Sequence, residues 1–238
     1  EEPRDKTGLR LVGENCPDGQ WTYVMKDDSR RSYAGYLQCP FTPDQCVEFF
    51  GQVLAGTRWE QPHGPLGPIP RKTAWMVASG CTCAYRYGNI EVAAQVFPNW
   101  MKELMRQVMP HCGLCEEAEW PNSCNLNLYE DGGMSVGWHA DDERLFQGKF
   151  RDALIISLSL GARRKFEIRL NWPEKNERAM YRLNLGNGDL LTMEGMTQKH
   201  YQHRVPKEEA IARPRINLTW RWVAKHSPQC PADRQPVA

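Results

Sequence analysis

The stretch Arg215-Ile-Asn-Leu-Thr-Trp-Arg221 alternates between polar and apolar side chains, which is the pattern of a β-strand. Because successive side chains point to opposite faces, one face carries two arginines, an asparagine and a threonine. A guanidinium group makes paired, charge-assisted hydrogen bonds to a carboxylate. The stretch therefore predicts a site for a small dicarboxylate, with Arg215, Asn217 and Arg221 as candidate ligands. The alternative is an exposed arginine face on an edge strand.

Two histidines and one aspartate elsewhere in the chain are candidate metal ligands. His139-Ala-Asp141 places an imidazole and a carboxylate on one side of a strand or its end, and His203 lies in a later strand segment. Iron(II) oxygenases use this ligand set and leave three positions open for cosubstrate and oxygen. A His-x-Asp pair alone is weak evidence, but its combination with the arginine strand favours a 2-oxoglutarate-dependent iron oxygenase. The remaining histidines are not expected to be ligands: His63, His111, His200 and His226.

Length and composition fit one globular domain with extensions. The chain has 238 residues, of which 41% are hydrophobic and 25% charged, so a packed core is expected. No apolar run approaches the ~20 residues needed to span a bilayer, and no secretory apolar segment is visible near the start. We therefore expect an intracellular protein, in the nucleus, the cytoplasm or both, without a membrane partner.

Charge and cysteine usage leave two questions open. The formal net charge of +1 neither favours nor excludes a nucleic-acid partner. The basic clusters Arg71-Lys72, Arg86 and Arg163-Arg164-Lys165 are either binding patches or solvated turns. The nine cysteines include Cys81-Thr-Cys83 and Cys112-Gly-Leu-Cys115, whose combined spacing is not a familiar zinc motif. Reduced intracellular thiols are therefore favoured over a structural zinc ion.

The order of patterns along the chain predicts an α+β fold. Residues 1–36 are polar and poorly periodic and predict a partly flexible extension. Helices are predicted from Thr42 and over 98–108, and several short strands joined by turns follow residue 123. This arrangement predicts a closed double sheet with helices packed outside. The single domain is expected over 37–224, with a core over about 123–223, and a disordered tail over 225–238.

Several motifs together resemble the AlkB family of nucleic-acid dioxygenases, and the resemblance runs from about residue 68 to 223. It is carried by the following strings: Asn127-Leu-Tyr129, Trp138-His-Ala-Asp-Asp-Glu143, Ser157-Leu-Ser-Leu-Gly161, Gln202-His-Arg-Val-Pro206 and Pro214-Arg-Ile-Asn-Leu-Thr-Trp-Arg221. Met193-Glu-Gly and His203-Arg-Val-Pro-Lys207 look like the members that prefer single-stranded DNA and RNA. The resemblance implies a double-stranded β-helix, or jelly roll, with a nucleotide-recognition lid over about 60–95.

The resemblance also implies a reaction and a set of site residues. A monomer would bind Fe(II) and 2-oxoglutarate, use O2, and remove alkyl groups from bases in single-stranded DNA or RNA. The implied iron ligands and catalytic residues are His139, Asp141 and His203. The implied 2-oxoglutarate ligands are Asn127, Tyr129, Arg215, Asn217 and Arg221. The implied substrate contacts are Arg71, Trp75, Tyr85, Tyr87, Asp142 and Glu143.

Alternatives remain for the lid and for the substrate. Trp75 and both lid tyrosines could pack in the core instead of stacking on a flipped base. Ser79-Gly-Cys-Thr-Cys83 departs from the family pattern, which bears on the identity of the substrate more than on the reaction. The other candidate functions are oxidation of a C-methyl base such as 5-methylcytosine, a nucleic-acid reader without turnover, and a protein hydroxylase.

Overall fold

A computed structural model describes residues 2–234 of the chain. The helices are α1 (Val12–Asn15), α2 (Pro43–Gly56), α3 (Asn99–Val108) and α4 (Thr197–His200). The strands are β1 (Thr22–Asp27), β2 (Ser32–Leu37), β3 (His63–Gly64), β4 (Gly67–Pro68), β5 (Lys72–Val77), β6 (Tyr85–Tyr87), β7 (Ile90–Val92), β8 (Ala94–Val96), β9 (Ser123–Tyr129), β10 (Val136–His139), β11 (Ala153–Gly161), β12 (Arg164–Leu170), β13 (Met180–Leu185), β14 (Leu190–Gly195), β15 (Tyr201–Val205) and β16 (Arg215–Arg221). Short 3-10 helices lie at Arg4–Lys6, Pro17–Gly19, Met109–Cys112, Glu117–Glu119 and Pro231–Arg234. Among these residues, no helix is long and apolar enough to cross a membrane.

Two antiparallel sheets face each other and form the jelly-roll core. The major sheet has eight strands in the order β1-β2-β14-β11-β16-β9-β5-β8, and the minor sheet has four in the order β10-β15-β12-β13. Only the β5–β8 pair at one edge of the major sheet is parallel in the described part. Strands β6 and β7 form a separate hairpin. The predicted α+β double-stranded β-helix is confirmed.

The helices cover the outer face of the major sheet. Apolar side chains of α2 and α3, such as Phe49 and Leu104, pack with Leu126, Leu158 and Leu218 of the sheet in one buried cluster. Helix α2 begins with a capping box, in which Thr42 Oγ1 accepts from the Gln45 amide and Gln45 Oε1 accepts from the Thr42 amide. The expected helix from Thr42 and the expected helix over 98–108 are both confirmed.

The opposite face of the major sheet is polar where it meets the minor sheet. Antiparallel register pairs Arg215 with Tyr129, Asn217 with Asn127, and Thr219 with Asn125 across β16 and β9. On the other side of β16, Asn217 pairs with Ser159 and Thr219 with Ser157 of β11. Because residues paired across strands share a face, these side chains form one polar ladder across three neighbouring strands. Arg215, which begins the ladder, is fully buried, so the edge-strand alternative is wrong.

Strands β10 and β15 of the minor sheet carry the two candidate histidine ligands. His139 lies directly opposite His203, whereas Val136 lies opposite Val205, so the register shifts by one residue between the two pairs. Such a bulge turns the side chains that follow it. Buried Arg164 supports this region from β12, because its guanidinium donates to the carbonyls of Asp131, Met134 and Pro206.

The N-terminal residues differ from the expected flexible extension. Strands β1 and β2 extend the major sheet, and β2 pairs with β14 along its whole length. The buried Glu194 carboxylate accepts from the Val12 amide and from the Tyr23 hydroxyl, both at 2.9 Å. The sequence pattern was misleading because a bulge between Tyr23 and Met25 interrupts the alternation in β1. Glu1 lies outside the described residues.

The C-terminal residues also differ from the sequence prediction. The amides of Ala224 and Lys225 donate to the Leu145 carbonyl, and Cys230 is fully buried. Cys230 belongs to a third apolar cluster with Trp75, Tyr85 and Phe146. Residues 225–234 therefore follow a defined path against the lid, although their prolines predicted disorder. The part of the predicted tail over 235–238 lies outside the described residues.

Candidate active site

A cavity of about 530 Å³ lies where the polar ladder meets the minor sheet. Its walls include Asn127 and Asn217 from the major sheet and His139 and His203 from the minor sheet. A volume of this size fits a ligand pocket. Asn217 and Arg221 of the predicted cosubstrate strand thus line the same cavity as the candidate metal ligands, whereas Arg215 is not among its lining residues.

His139, Asp141 and His203 converge at this cavity. One ligand atom from each lies within 4.8 Å of the others. His139 Nε2 is 3.9 Å from Asp141 Oδ1, and His203 Nε2 is 3.8 Å from Asp141 Oδ2. Two donors that each lie about 2.1 Å from one ion can be up to about 4.2 Å apart. The three side chains could therefore hold a single metal ion.

Hydrogen bonding and burial prepare both imidazoles for metal binding. His139 Nδ1 lies 2.8 Å from the Gly137 carbonyl, so a proton on Nδ1 leaves the Nε2 lone pair facing Asp141. Burial lowers the pKa of His203 to about 3 and also lowers the pKa of His139. Both rings are therefore neutral near pH 7, which is the form that binds a metal.

The third candidate ligand is a buried carboxylate beside a fixed cation. Burial by itself raises the pKa of Asp141, but the Arg221 guanidinium and the two histidines lower it below its ordinary value. Arg221 Nη2 is 3.2 Å from Asp141 Oδ1. The Asp141 amide donates to Gln198 Oε1 at 2.8 Å, which fixes the backbone next to the carboxylate. Arg221, an expected 2-oxoglutarate ligand, thus lies on the metal side of the cavity.

Arg215 lies at the other end of the polar ladder, and its charge is only partly satisfied. Its Nη2 donates to Ser159 Oγ at 2.9 Å, whereas Nε and Nη1 are buried without a partner. Burial lowers the pKa of Arg215 to about 10, so the side chain is still charged at pH 7. The guanidinium lies 5.4 Å from the ring centre of Tyr129, which lines the cavity. An unpaired buried cation of this kind could bind the distal carboxylate of a dianion.

The lid side of the cavity carries Tyr85, Tyr87 and Glu143. The Tyr85 hydroxyl donates to Glu143 Oε1 at 2.6 Å, and the two tyrosine rings are 5.2 Å apart. Glu143 Oε2 and the Tyr87 hydroxyl are buried without a partner. Burial raises the pKa of Glu143 to about 7, and the charge of Asp141 acts in the same direction. These polar atoms could contact a ligand that enters from the lid.

Of the other expected substrate contacts, Arg71 and Asp142 line the cavity and Trp75 does not. Arg71 lies on the cavity wall, donates to Asn127 Oδ1 and faces the Tyr87 ring. Asp142 also lines the cavity and pairs with Lys149 at 2.5 Å. Trp75 is fully buried, donates through Nε1 to the Cys83 carbonyl, and stacks under Tyr85 at 5.0 Å. The core-packing alternative therefore applies to Trp75, whose position behind Tyr85 keeps it away from the cavity.

The basic clusters do not form a continuous patch. Arg164 is buried under the β10 turn, so Arg163-Arg164-Lys165 is not a surface patch. Lys72 pairs with Glu130, and Arg86 pairs with Glu91. Of the three predicted clusters, only Arg71 and Arg86 line the cavity.

Several residues of the site were not predicted. Ser157 and Ser159 hydrogen-bond Asn217 and Arg215, and their alternation within a buried apolar strand was the available signal. Phe166 stacks on His203 with ring centres 5.5 Å apart. Trp138 lies between the guanidinium groups of Arg169 and Arg204. No sequence pattern indicated the roles of Gln198 or Phe166, because each depends on contact between distant segments.

A jelly roll that holds a His-Asp-His cluster at one end of a polar ladder and a buried guanidinium with two unpaired nitrogens at the other is typical of iron(II) oxygenases with an oxo-acid cosubstrate. Residues 33–221 match the model of the 2OG-Fe(II) oxygenase superfamily. The chain belongs to this superfamily and, within it, to the AlkB family. Membership implies Fe(II) and 2-oxoglutarate, with O2 as cosubstrate. Asp141 Oδ1, which makes no hydrogen bond although the Arg221 guanidinium is 3.2 Å away, fits a metal cation, and the unpaired Nε and Nη1 of Arg215 fit a carboxylate.

The chain is similar to two groups of AlkB homologues. It is 37% identical to the alpha-ketoglutarate-dependent dioxygenase alkB homolog 3 of Bos taurus, over 78% of this chain and 65% of the relative. The Homo sapiens protein of the same name is 36% identical, over 72% and 59%. The DNA oxidative demethylase ALKBH2 of Mus musculus is 32% identical, over 75% and 71%. The chain thus spans about 59–65% of these two alkB homolog 3 relatives.

Solved structures support the fold. The structure of OsALKBH1 superposes with a TM-score of 0.53 at 16% identity, over 79% of this chain and 96% of that chain. A prolyl hydroxylase from Trichoplax adhaerens, solved with a peptide fragment, gives a TM-score of 0.51 at 12% identity, over 90% and 88%. At these identities the likeness shows only the jelly-roll architecture.

Proposed function

We propose that this chain removes N-alkyl groups from nucleobases in single-stranded DNA or RNA by Fe(II)- and 2-oxoglutarate-dependent oxidation. The observation that carries the proposal is the polar ladder, which ends in the buried, unpaired guanidinium of Arg215 at one end and approaches the His139–Asp141–His203 cluster at the other. The carboxylate of the cluster attracts a cation, and the guanidinium of Arg215 attracts a carboxylate of a dianion. The names of the relatives, a dioxygenase and a DNA oxidative demethylase, support the substrate class.

In this proposal the chain's own residues divide the work between two ends of the cavity. His139, Asp141 and His203 hold the metal, and Arg221 keeps Asp141 ionised. Arg215 binds the distal carboxylate of 2-oxoglutarate, with Asn127, Tyr129 and Asn217 along the same ladder. When bound, iron and 2-oxoglutarate supply the activation of O2, with succinate and CO2 as coproducts. The oxidised N-methyl group then leaves as formaldehyde, which restores the unmodified base.

The lid side holds the target base in this proposal. Tyr87 and Arg71 offer flat surfaces on which a base can stack, and Tyr85 holds Glu143 in place. Glu143 Oε2 and Asp142 are the polar groups available to an exocyclic amine of the base. Extraction of a base costs least when the strand is single or the base is damaged, which supports a single-stranded substrate.

The proposal also covers location and assembly. We place the chain inside the cell, in the nucleus or the cytoplasm, because all nine cysteines are free in the structure and thiols persist in reducing compartments. We also propose that it acts as a monomer. Size-exclusion chromatography with light scattering is the direct measurement of that state.

A panel of methylated single-stranded oligonucleotides, incubated with Fe(II) and 2-oxoglutarate, tests the function. We expect formaldehyde release in equal amount to the succinate that depends on the oligonucleotide, together with a net loss of one CH2 unit from the oligonucleotide. A hydroxymethyl base without formaldehyde would indicate C-methyl oxidation instead. Binding should weaken with salt, with a log–log slope of about −0.7 per phosphate contact. Binding that is independent of salt, together with turnover on peptides alone, would favour a protein hydroxylase.

Replacement of Tyr87 by alanine tests the stacking surface. Base–aromatic stacking contributes about 1–3 kcal/mol, so the KM for a methylated oligonucleotide should rise about 5- to 150-fold. The substrate-independent conversion of 2-oxoglutarate to succinate should persist, because Tyr87 is neither a proposed metal ligand nor a proposed 2-oxoglutarate ligand. Tyr87→Phe is the matched control, since it keeps the ring and removes only the unpaired hydroxyl. Equal KM values for the wild type and Tyr87→Ala would contradict a stacking role.

A further inference from the structure

Three cysteines and one histidine meet on the far side of the lid from the cavity. Cys81, Cys83, His226 and Cys230 each present one ligand atom, and these four atoms lie within 4.8 Å of one another. The lid supplies the Cys-x-Cys pair and the C-terminal segment supplies His-x-x-x-Cys, 143 residues after Cys83. The three thiols are buried. Nothing in the oxygenase chemistry uses this cluster.

The spacing of the four atoms fits a tetrahedron around one ion. With bonds of about 2.3 Å to sulfur and about 2.05 Å to nitrogen, tetrahedral angles place sulfur and nitrogen about 3.6 Å apart and two sulfurs about 3.8 Å apart. His226 Nδ1 is 3.6 Å from Cys81 Sγ, 3.5 Å from Cys83 Sγ and 3.4 Å from Cys230 Sγ. Cys81 Sγ and Cys230 Sγ are 3.9 Å apart.

Backbone hydrogen bonds to two of the sulfurs also support a metal site. The Thr82 amide donates to Cys230 Sγ at 3.4 Å, and the Ser227 amide donates to Cys83 Sγ at 3.3 Å. Such donors stabilise negative charge on sulfur, as the outer contacts of a metal site do. The sulfurs are too far apart to be disulfide-bonded, because a disulfide bond is about 2.05 Å long.

We propose that Cys81, Cys83, His226 and Cys230 bind one structural Zn²⁺ ion that joins the lid to the C-terminal segment. Thiolate and imidazole donors select zinc over magnesium or calcium, and four protein ligands make a closed, non-catalytic site. Binding converts three thiols to thiolates and releases their three protons to solvent, while the imidazole binds in its neutral form. The sequence analysis favoured reduced thiols, because the combined spacing of Cys81-Thr-Cys83 and Cys112-Gly-Leu-Cys115 is not a familiar zinc motif. In the structure Cys112 and Cys115 do not join the cluster.

The ion would act on the substrate side of the active site through a short chain of contacts. The carbonyl of Cys83 accepts from Trp75 Nε1 at 2.8 Å, and Trp75 stacks on Tyr85. Tyr85 in turn holds Glu143. The zinc ligands are thus positioning residues for the lid, and they leave the His139–Asp141–His203 cluster untouched.

Elemental analysis of the full chain, expressed with zinc and purified under reducing conditions, tests the proposal. We expect one zinc per chain in the wild type, and at most one tenth of that in Cys230→Ser and His226→Ala. Cobalt-substituted wild type should show thiolate-to-cobalt charge-transfer absorption, which His226→Ala should lose or shift. Removal of zinc by a chelator should lower the Tm by about 5 °C or more, because metal binding is coupled to folding.

Two control variants distinguish the zinc proposal from the oxygenase assignment. Cys115→Ser replaces an exposed cysteine outside the cluster and should keep one zinc per chain. Asp141→Ala should also keep its zinc while it loses iron, so failure of the oxygenase assignment would leave this result unchanged. Wild type that contains no zinc after reconstitution, or Cys230→Ser and His226→Ala variants that both keep a full equivalent, would overturn the proposal. If Cys230→Ser does not fold, His226→Ala and the chelated wild type still decide.

Discussion

Replacement of His139 or Asp141 by alanine is expected to abolish conversion of 2-oxoglutarate to succinate. Each change removes one of the three donor atoms that lie within 4.8 Å of one another. Asp141→Ala also leaves the Arg221 guanidinium without the carboxylate 3.2 Å away, so a buried positive charge faces the place of the metal. We therefore expect a loss of at least 10³-fold in turnover for Asp141→Ala. When several residues act together, removal of any one of them removes most of the activity.

Iron content and turnover should be measured together for these variants. Iron should fall below one tenth of an equivalent per chain in both, whereas circular dichroism should stay like that of the wild type. His63→Ala is a suitable control, because His63 is exposed in the β3–β4 hairpin. Normal iron content with full turnover in either variant would refute the metal assignment.

Replacement of Arg215 by methionine should produce the second large effect, and in two opposite directions. The unliganded protein should become more stable or stay unchanged, because methionine removes a buried charge whose Nε and Nη1 have no partner. Binding of 2-oxoglutarate should weaken about 30- to 5,000-fold, since loss of one partner of a buried charge pair costs about 2–5 kcal/mol. A merely structural arginine would not give this combination.

Thermal unfolding with and without 2-oxoglutarate measures both effects in one experiment. In the presence of a redox-inert divalent metal, the Tm of the wild type should rise as 2-oxoglutarate is added. The Tm of Arg215→Met should rise little. Arg213→Met is the matched control, because this nearby arginine is exposed. A Tm that falls in the unliganded variant, with a 2-oxoglutarate response like that of the wild type, would assign Arg215 a structural role instead.

The sequence predicted the polar side of the site well, because strand periodicity is a local property. The alternation around Asn217 and Asn127 was enough to place both side chains on one face, and the register of β16 with β9 puts them opposite each other. The convergence of His139 with His203 was also predicted, and the structure pairs them across β10 and β15. The role of each residue toward iron or 2-oxoglutarate is still a prediction.

Features that depend on contact between distant segments escaped the sequence analysis. Trp75 looked like a stacking residue, but its place behind Tyr85 follows from packing against the C-terminal segment. The sequence analysis favoured a reduced thiol over a zinc ligand at Cys81 and did not expect His226 to be a ligand, because the four side chains come together only when the C-terminal segment packs on the lid. The pairing of β2 with β14 was not predicted either, because it joins segments that are far apart in the sequence.

The one-residue shift between Val136 and His139 determines on which face of β10 the His139 imidazole lies. Along a strand, a slip of one position turns every following side chain to the opposite face. Val136 and His139 are three positions apart, so a β10 of the same length without the bulge would turn the His139 imidazole to the face opposite Val136, away from its partner on β15. A deletion of one residue between them would instead keep His139 opposite His203, because it gives β10 the same two-residue spacing that separates Val205 from His203. The bulge, together with the ligand residues, therefore decides whether the two imidazoles meet.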